Sequence, residues 1–153
     1  MVSTLELKYL CANTAASSQQ LQPQFEIVNN GSAAVPLSSL TIRYFYTKDG
    51  SSATGQNFVC DYAQIGQGNV SALFNTFTGT NADEYLELHF AAGAGSLAPG
   101  GNTGQIQARV YANGYPTMSQ TNDYSFDPTK TSFTDSTTVT LYQNGTLVWG
   151  TEP

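Results

Sequence analysis

The stretch "TVTLYQNGTLVWG", Thr138 to Gly150, decides the fold. Two runs rich in β-branched and aromatic residues flank Asn144-Gly145, the dipeptide that tolerates the positive φ of a type I′ turn. Outward from this hairpin, the rest of the chain repeats the same pattern. "TLELKYL" (Thr4–Leu10) sets Leu5, Leu7 and Tyr9 on one face, and "QPQFEIVNNG" alternates through Phe25 and Ile27 before stopping at Asn30-Gly31. "LTIRYFYTKDG" places Ile42, Tyr44 and Tyr46 against Arg43, Phe45 and Thr47 and closes on Asp49-Gly50. "EYLELHF" sets Leu86, Leu88 and Phe90 against Tyr85, Glu87 and His89. "TGQIQARVYA" puts Ile106, Ala108 and Val110 opposite Gln107, Arg109 and Tyr111. No stretch of ten or more residues shows a 3.6-residue apolar period, and turn dipeptides recur every ten or so residues, as in an all-β sandwich. There is no internal repeat or linker, and "AAGAGSLAPGG" (91–101) reads as a connection between two strands.

A chain of 153 residues fits one domain, here residues 1–153. Only 10% of residues are charged, against ~25% in an average soluble protein, and Ser, Thr, Asn, Gln and Gly take their place. With 40% hydrophobic residues the chain is not disordered, and its polar, uncharged surface suits a secreted β protein. A net charge of −6 with five basic residues excludes a nucleic-acid partner, which needs clustered Lys and Arg. No apolar run approaches the ~18 residues of a membrane span. The opening "MVSTLELKY" reads as the start of an excised piece whose lost context included a secretion signal. Cys11 and Cys60 match no metal spacing and could form one disulfide or remain two buried thiols.

Catalytic constellations are missing. His89, the single histidine, alternates with core residues on a strand, which favours a surface or packing role. No Gly-x-Ser-x-Gly elbow, metal-binding His pair or phosphate loop occurs. The 11 acids would allow a glycosidase-style pair by count, but most sit in turns. Aromatics offer more: Tyr62 follows Asp61 in "FVCDYAQIG", and Tyr115 sits in the loop "NGYP". Sugar rings pack their flat C–H faces on π-clouds, while their hydroxyls take side-chain hydrogen bonds. On these residues alone, capping of the core edge is an equal alternative.

"CDYAQIG", "QIQARVYANGY", "QTNDYSF" and "LYQNGTLVWGTEP", with "QPQFEIVNNGS", "LTIRYFYTKDG" and "NADEYLEL" in the same order, resemble the family 3 carbohydrate-binding modules of cellulases and cellulosomal scaffoldins. The resemblance covers nearly the whole chain. It implies a nine-stranded jelly-roll β-sandwich, a non-catalytic monomer as an excised module, and a secreted setting on a bacterial cell surface or cellulosome. It also implies a planar strip that binds crystalline cellulose or a related β-1,4-glucan. The matching strip positions are Asp61, Tyr62, Arg109 and Tyr115, with Asp61 and Arg109 forming one flat, ring-sized ion pair; a planar guanidinium stacks where an ammonium would not. Polar anchors fall on Asn13, Gln19 and Gln107. Two departures reduce stacking area: "AQIGQGNVSALF" is shorter than the scaffoldin-type loop that carries another tyrosine, and Tyr115 stands where Trp is often found. Family members that only feed a fused catalytic domain lack the strip, so its presence favours independent binding.

The resemblance further implies structural Ca²⁺. "YTKDG" supplies Thr47 and Asp49, and "SQTNDY" supplies Ser119, Asn122 and Asp123, the oxygen mixture that Ca²⁺ takes. Without the resemblance both segments read as turns. A shallow groove on the other sheet face matches Arg43, Tyr85 and Tyr124, with linker peptides or single sugar chains as its candidate ligands and a solvated face as the alternative. Within the binding class, a polysaccharide-sensing or protein-contact module with a redirected strip is the competing reading. From the enzyme class, it is an ancillary domain inseparable from a hydrolase.

Overall fold

The computed structural model describes residues 4–153; the first three residues of "MVSTLELKY" lie outside the described residues. Among the described residues ten strands build the two main sheets: β1 (Leu5–Cys11), β2 (Pro23–Asn29), β3 (Leu40–Tyr46), β4 (Gln56–Ala63), β5 (Val70–Gly79), β6 (Ala82–Phe90), β7 (Ile106–Ala112), β8 (Thr134–Asp135), β9 (Val139–Gln143) and β10 (Thr146–Trp149), while two short ribbons, Ser17–Ser18 with Met118–Ser119 and Val35–Pro36 with Ser96–Leu97, lie outside them. One sheet runs β8-β1-β2-β7-β4 and the other β10-β9-β3-β6-β5, with every pairing antiparallel. The fold is an all-β sandwich of the jelly-roll type, with only short 3₁₀ turns between strands among the described residues. At its heart Tyr9 and Phe25 of the first sheet meet Tyr44 of the second, with ring centroids 6.1 to 6.5 Å apart. Leu7, Ile27, Ile42, Leu86, Ile106 and Leu141 pack around them with no exposed surface. Each such side chain contributes roughly 1.5–3 kcal/mol by leaving water, so the alternation is strongly enforced.

The closing hairpin forms as the sequence requires. Asn144 and Gly145 have φ of 51° and 80°, both in the region a type I′ turn needs, and Gln143 pairs with Thr146 across them. The outer face of β3 departs from simple alternation, because Phe45 is fully buried although it points away from the main core. Phe77, Tyr85 and Tyr124 close over it at 5.0, 5.5 and 6.1 Å. Ser125 takes up the ladder beside Phe45 where β9 has not yet begun: its N–H donates to the Phe45 carbonyl (3.1 Å), and its hydroxyl accepts from the Phe45 N–H (2.8 Å). A returning segment, invisible to local pattern, therefore turns an outward Phe into a second small core.

Cys11 and Cys60 are free buried thiols. They lie on β1 and β4 with β2 and β7 between them, so about three strand spacings, ~14 Å, separate them, beyond the reach of a disulfide. Each instead donates to a nearby carbonyl, Cys11 to Asn13 (3.2 Å) and Cys60 to Tyr62 (3.5 Å).

Two glycines of equal φ separate backbone strain from steric collision. Gly145 (φ 80°) has open space where a Cβ would stand, whereas at Gly150 (φ 83°) a Cβ would strike the Val139 carbonyl. Gly145→Ala is expected to cost about 1–2 kcal/mol from the left-handed conformation alone. Gly150→Ala should cost clearly more, and urea midpoints of the two variants measure the difference. Equal losses would show that β9 can yield at Val139.

Candidate functional site

The exposed face of the first sheet is shaped by a bulge. Gln107 of β7 pairs with Tyr62 and Ala108 with Cys60, leaving Asp61 as an extra residue in β4. Alternation breaks there: Cys60 is buried, Asp61 and Tyr62 are both exposed, and Ala63 is buried again. Two consecutive side chains thus reach the same outer surface, which a regular strand cannot achieve. Arg109 answers Asp61 from the neighbouring strand, its Nε donating to Oδ2 at 3.1 Å and its Nη2 to Oδ1 at 3.1 Å. This fork-to-fork geometry makes the pair a flat unit. Since both groups are partly in water, the pair adds little stability.

Farther along β7, Gly114 (φ 79°) and Tyr115 (φ 53°) reverse the chain, with the Tyr115 N–H donating to the Ala112 carbonyl (3.0 Å). The base of this turn is tied by Asn57, whose amide donates to Asn113 Oδ1 (2.8 Å), and by the Asn113 N–H on the Gly55 carbonyl (2.8 Å). The turn lays the Tyr115 ring on Tyr111 at 4.7 Å and 6° between planes. Tyr62 and Tyr115 remain 48% and 44% exposed, which places them among the few large apolar side chains left in water. Gln107, Arg109 and Tyr111 share the outer face of β7, so Tyr62 opposite Gln107, the Asp61–Arg109 pair and the Tyr111–Tyr115 stack follow one another on the same side of the sheet.

The two oxygen-rich segments converge at one end of the sandwich. Asp123 Oδ1 accepts from the Thr47 N–H (2.8 Å) and the Thr47 hydroxyl (3.1 Å). Asp49 accepts from the Asn122 amide (2.7 Å) and the Ser119 N–H (2.9 Å). Two acceptor oxygens here are buried without a partner, Asp123 Oδ2 and Asn122 Oδ1. Burial pushes the Asp123 carboxyl up to about 8, with Asp49 and Asp83 adding repulsion against the Thr47 hydrogen bonds. Buried acceptors left bare are costly, and a hard cation among Thr47, Asp49, Ser119, Asn122 and Asp123 would satisfy both. No group of three His, Cys, Asp or Glu side chains able to hold a metal occurs among the described residues, so such a site would draw on amide, hydroxyl and main-chain oxygens as well.

On the second sheet's outer face, the Arg43 guanidinium lies between the rings of Tyr85 (4.4 Å) and Tyr142 (4.3 Å). It is paired with Glu87 (2.7 Å) and Glu152 (3.3 Å). Tyr142 donates its hydroxyl to Glu152 (2.7 Å) and Tyr124 to the Thr151 carbonyl (2.6 Å), so the chain's own residues 151–152 lie across this face. His89 sits beside Glu87 at 2.8 Å, a surface pairing as its strand position suggests.

A family model described as a cellulose binding domain matches residues 6–150. The chain belongs to this family, the family 3 carbohydrate-binding modules. An uncharacterized protein from the celA 5′ region of Paenibacillus lautus is 50% identical over 147 residues, covering 96% of this chain and 100% of the relative. Endoglucanase A of the same organism is 46% identical over 138 residues, covering 90% of this chain but only 19% of the enzyme. The scaffoldin ScaA CBM3b of Acetivibrio cellulolyticus superposes with a TM-score of 0.93 at 36% identity, covering 98% of this chain and 97% of that one. A biomass sensing module from an Rsgi-like protein of Clostridium thermocellum does so with 0.93 at 32%, covering 100% of both. The family binds carbohydrate and is non-catalytic.

In this family 3 module the expected residues are brought together unevenly. Asp61, Tyr62, Arg109, Tyr115 and Gln107 share one surface, and the five oxygen-bearing residues form one hydrogen-bonded cluster of the loops. Gln19 is exposed on the loop before β2. Asn13 is engaged internally, its amide donating to Ser18 Oγ (2.7 Å) and the Gln20 carbonyl (3.0 Å), so it shapes that loop from within. Arg43 and Tyr85 touch, while Tyr124 joins them only through Phe45. Tyr111, Tyr142 and Glu152 were missed. The i, i+2, i+4 spacing of Gln107, Arg109 and Tyr111 carried the signal for the first.

The Asp123 carboxyl gives a signed pH dependence. Its folded value of about 8 lies above the ordinary 3.8, so between these values the cation-free folded state holds a proton that the unfolded chain has released. This contribution to stability is present at low pH and is lost as pH rises toward 8. Melting curves in chelator should show Asp123→Asn gaining relative to the unmodified domain as pH rises across that window. A flat difference would place the Asp123 carboxyl in water.

Proposed function

We propose that residues 1–153 form one secreted, monomeric module that binds the flat face of crystalline cellulose. The module brings an attached enzyme or scaffold to plant cell wall and does no chemistry itself. The observation that carries this reading is the bulge at Asp61, which presents Tyr62 and the Asp61–Arg109 plane together and in line with the Tyr111–Tyr115 stack. A planar array suits a planar ligand: each ring offers a face for the C–H side of a glucose unit, and Gln107 and Gln19 offer amides to its hydroxyls. On the opposite sheet, Arg43, Tyr124 and Tyr142 already hold partners within the chain, so that face has fewer groups to offer. Neither nucleic acid nor a membrane belongs to this reading, given the net charge of −6 and a strip whose one cation is matched by Asp61.

A second reading, a polysaccharide-sensing module with an altered glucan ligand, is favoured by the likeness to the biomass sensing module over the full length of both chains. Adsorption separates the two. The purified domain should pellet with microcrystalline cellulose and release no reducing sugar from soluble glucans. Tyr62→Ala and Tyr115→Ala should each weaken adsorption about fivefold, the equivalent of ~1 kcal/mol per stacked ring. The Tyr62 variant should keep its thermal midpoint. If Tyr62→Ala melts early, that ring belongs to the core and the strip loses one end.

Structural Ca²⁺ belongs to the same proposal, with Thr47, Asp49, Ser119, Asn122 and Asp123 as its ligands. Bound there, it supplies positive charge that lets Asp49 and Asp123 stand ionised side by side and ties the loop after β3 to the segment after β7. A ligand held only by the folded state stabilises it by mass action. Chelation should therefore lower the thermal midpoint of the unmodified domain and leave that of Asp123→Ala unmoved, while cellulose adsorption survives. Superimposable curves for the unmodified domain with and without chelator would remove the cation from this account.

A further inference from the structure

The bulge that presents Asp61 and Tyr62 lies on an outer strand. β4 is the last strand of its sheet, so on the side away from β7 no strand of that sheet fixes its backbone. The ladder is also interrupted there, since Asp61 has no partner opposite on β7. A bulge on a free edge has lost ladder bonds on one side and never had them on the other. One side chain compensates. The Gln67 amide reaches back seven residues and donates to the Cys60 carbonyl, immediately before Asp61. The Cys60 thiol donates to the Tyr62 carbonyl (3.5 Å), so the extra residue is bracketed on both sides. Gln67 is itself anchored. It opens a 3₁₀ turn, Gln67–Asn69, in which the Asn69 N–H donates to the Gly66 carbonyl (3.0 Å) and the Gly66 N–H to the Ala63 carbonyl (3.0 Å). The Asn69 amide donates to the Ile65 carbonyl (2.9 Å), and the Asn69 carbonyl accepts from the Ala91 N–H (2.9 Å). At the start of this loop the Gln64 N–H donates to the Gln105 carbonyl (3.1 Å), just before β7. The loop is closed on itself and on its neighbours, and Gln67 is the side chain through which it grips the bulge.

We infer that Gln67 is a positioning residue for the binding face: through the Cys60 carbonyl it holds the bulged backbone in the conformation that turns Asp61 toward Arg109 and Tyr62 outward. The inference rests on the cellulose-binding reading and adds to it a residue that acts from behind the strip. Gln67 is exposed as a residue, yet among the described residues the Cys60 carbonyl is the one hydrogen-bond partner of its side chain. Its effect is on a population. One net hydrogen bond corresponds to a factor of about five between the bulged conformation and its competitors. A ligand that needs the flat arrangement loses affinity in proportion to the fraction of molecules that adopt it. Gln67 therefore governs how often Asp61 and Tyr62 stand ready, without contact with the ligand.

Gln67→Met keeps the length of the side chain and removes its donor. Two measurements on the whole domain decide the matter. Without ligand, the Arg109 Nε–H resonance in a ¹H–¹⁵N spectrum reports the pairing with Asp61, and the Arg43 Nε–H resonance, bonded to Glu87 on the opposite sheet, reports that the variant is folded. In Gln67→Met the Arg109 signal should shift and exchange faster with water while the Arg43 signal stays. On microcrystalline cellulose the variant should adsorb about fivefold more weakly, and this loss should vanish when Asp61→Ala and Tyr62→Ala are already present. An unmoved Arg109 signal would overturn the inference whatever the adsorption. Movement of both arginine signals would also overturn it, because Gln67 would then serve general stability. Undiminished adsorption would show that the face tolerates a loosened bulge, and the positioning role would fall. A loss that persists in full in the Asp61→Ala/Tyr62→Ala background would mean that Gln67 touches the glucan itself, again overturning it. If the unmodified domain does not adsorb, the cellulose reading falls, and the Arg109 signal alone still decides whether Gln67 holds the bulge.

Discussion

The extra residue between Cys60 and Tyr62 is the constraint on which the exposed aromatic and polar face of the first sheet depends. The inner side of β4 must keep Cys60 and Ala63 in the core, and a regular strand through those positions would give the exterior one side chain at a time. Inserting Asp61 without a partner opposite leaves the inner residues in place and places two consecutive side chains on the outside. The cost is a local break in the ladder, and the compensation is that Asp61 now faces Arg109 squarely enough for two hydrogen bonds. Removing Asp61 would restore regular alternation from Cys60 through Tyr62 to Ala63, leaving Tyr62 outward but taking away the carboxylate that faces Arg109.

The cluster at Asp49 and Asp123 obeys a different constraint. Thr47, with Asp49 two residues on, lies just past the end of β3, and Asp123 lies on the segment that goes on to cover Phe45. The same stretch, 122–126, therefore carries a buried acid and seals the secondary aromatic core around Phe45, Phe77 and Tyr85. Electrostatics at one end of the sandwich and packing on its second face are mechanically linked. Asp123, held by the Thr47 hydrogen bonds, stands two residues before the Ser125 that completes the ladder of β3.

Local pattern made the two inner faces legible, because burial acts on every second residue and leaves a period that can be read directly. The Asn144-Gly145 turn was equally legible, since few dipeptides accept two positive φ values in succession. Tyr62 and Tyr115 stood out as loop aromatics, but their grouping with Asp61 and Arg109 came from resemblance, not from periodicity: a bulge breaks the very alternation that sequence reading uses. Phe45 looked like a solvent-facing residue because the segment covering it lies some eighty positions away. Glu152 and Tyr142 were unread for the same reason, as their partner Arg43 is brought to them only by the order of strands in the second sheet. The thiols could be separated only once two strands were known to lie between them.

The geometry of Tyr115 argues that its place is set by something other than stability. A non-glycine residue at φ 53° carries roughly 1–2 kcal/mol of strain. Stacking on Tyr111 returns about 0.5–1.5 kcal/mol, so the two nearly cancel and the folded domain gains little from the arrangement. A glycine at 115 would remove the strain, and a shorter turn would remove the ring from solvent; the chain does neither. A conformation that is close to neutral for folding, yet displays an aromatic ring in line with Tyr62 and Arg109, is readily kept if its return comes on contact with a ligand. The stacked pair also gives Tyr115 a backing: Tyr111 covers one face of the outer ring, which remains 44% exposed.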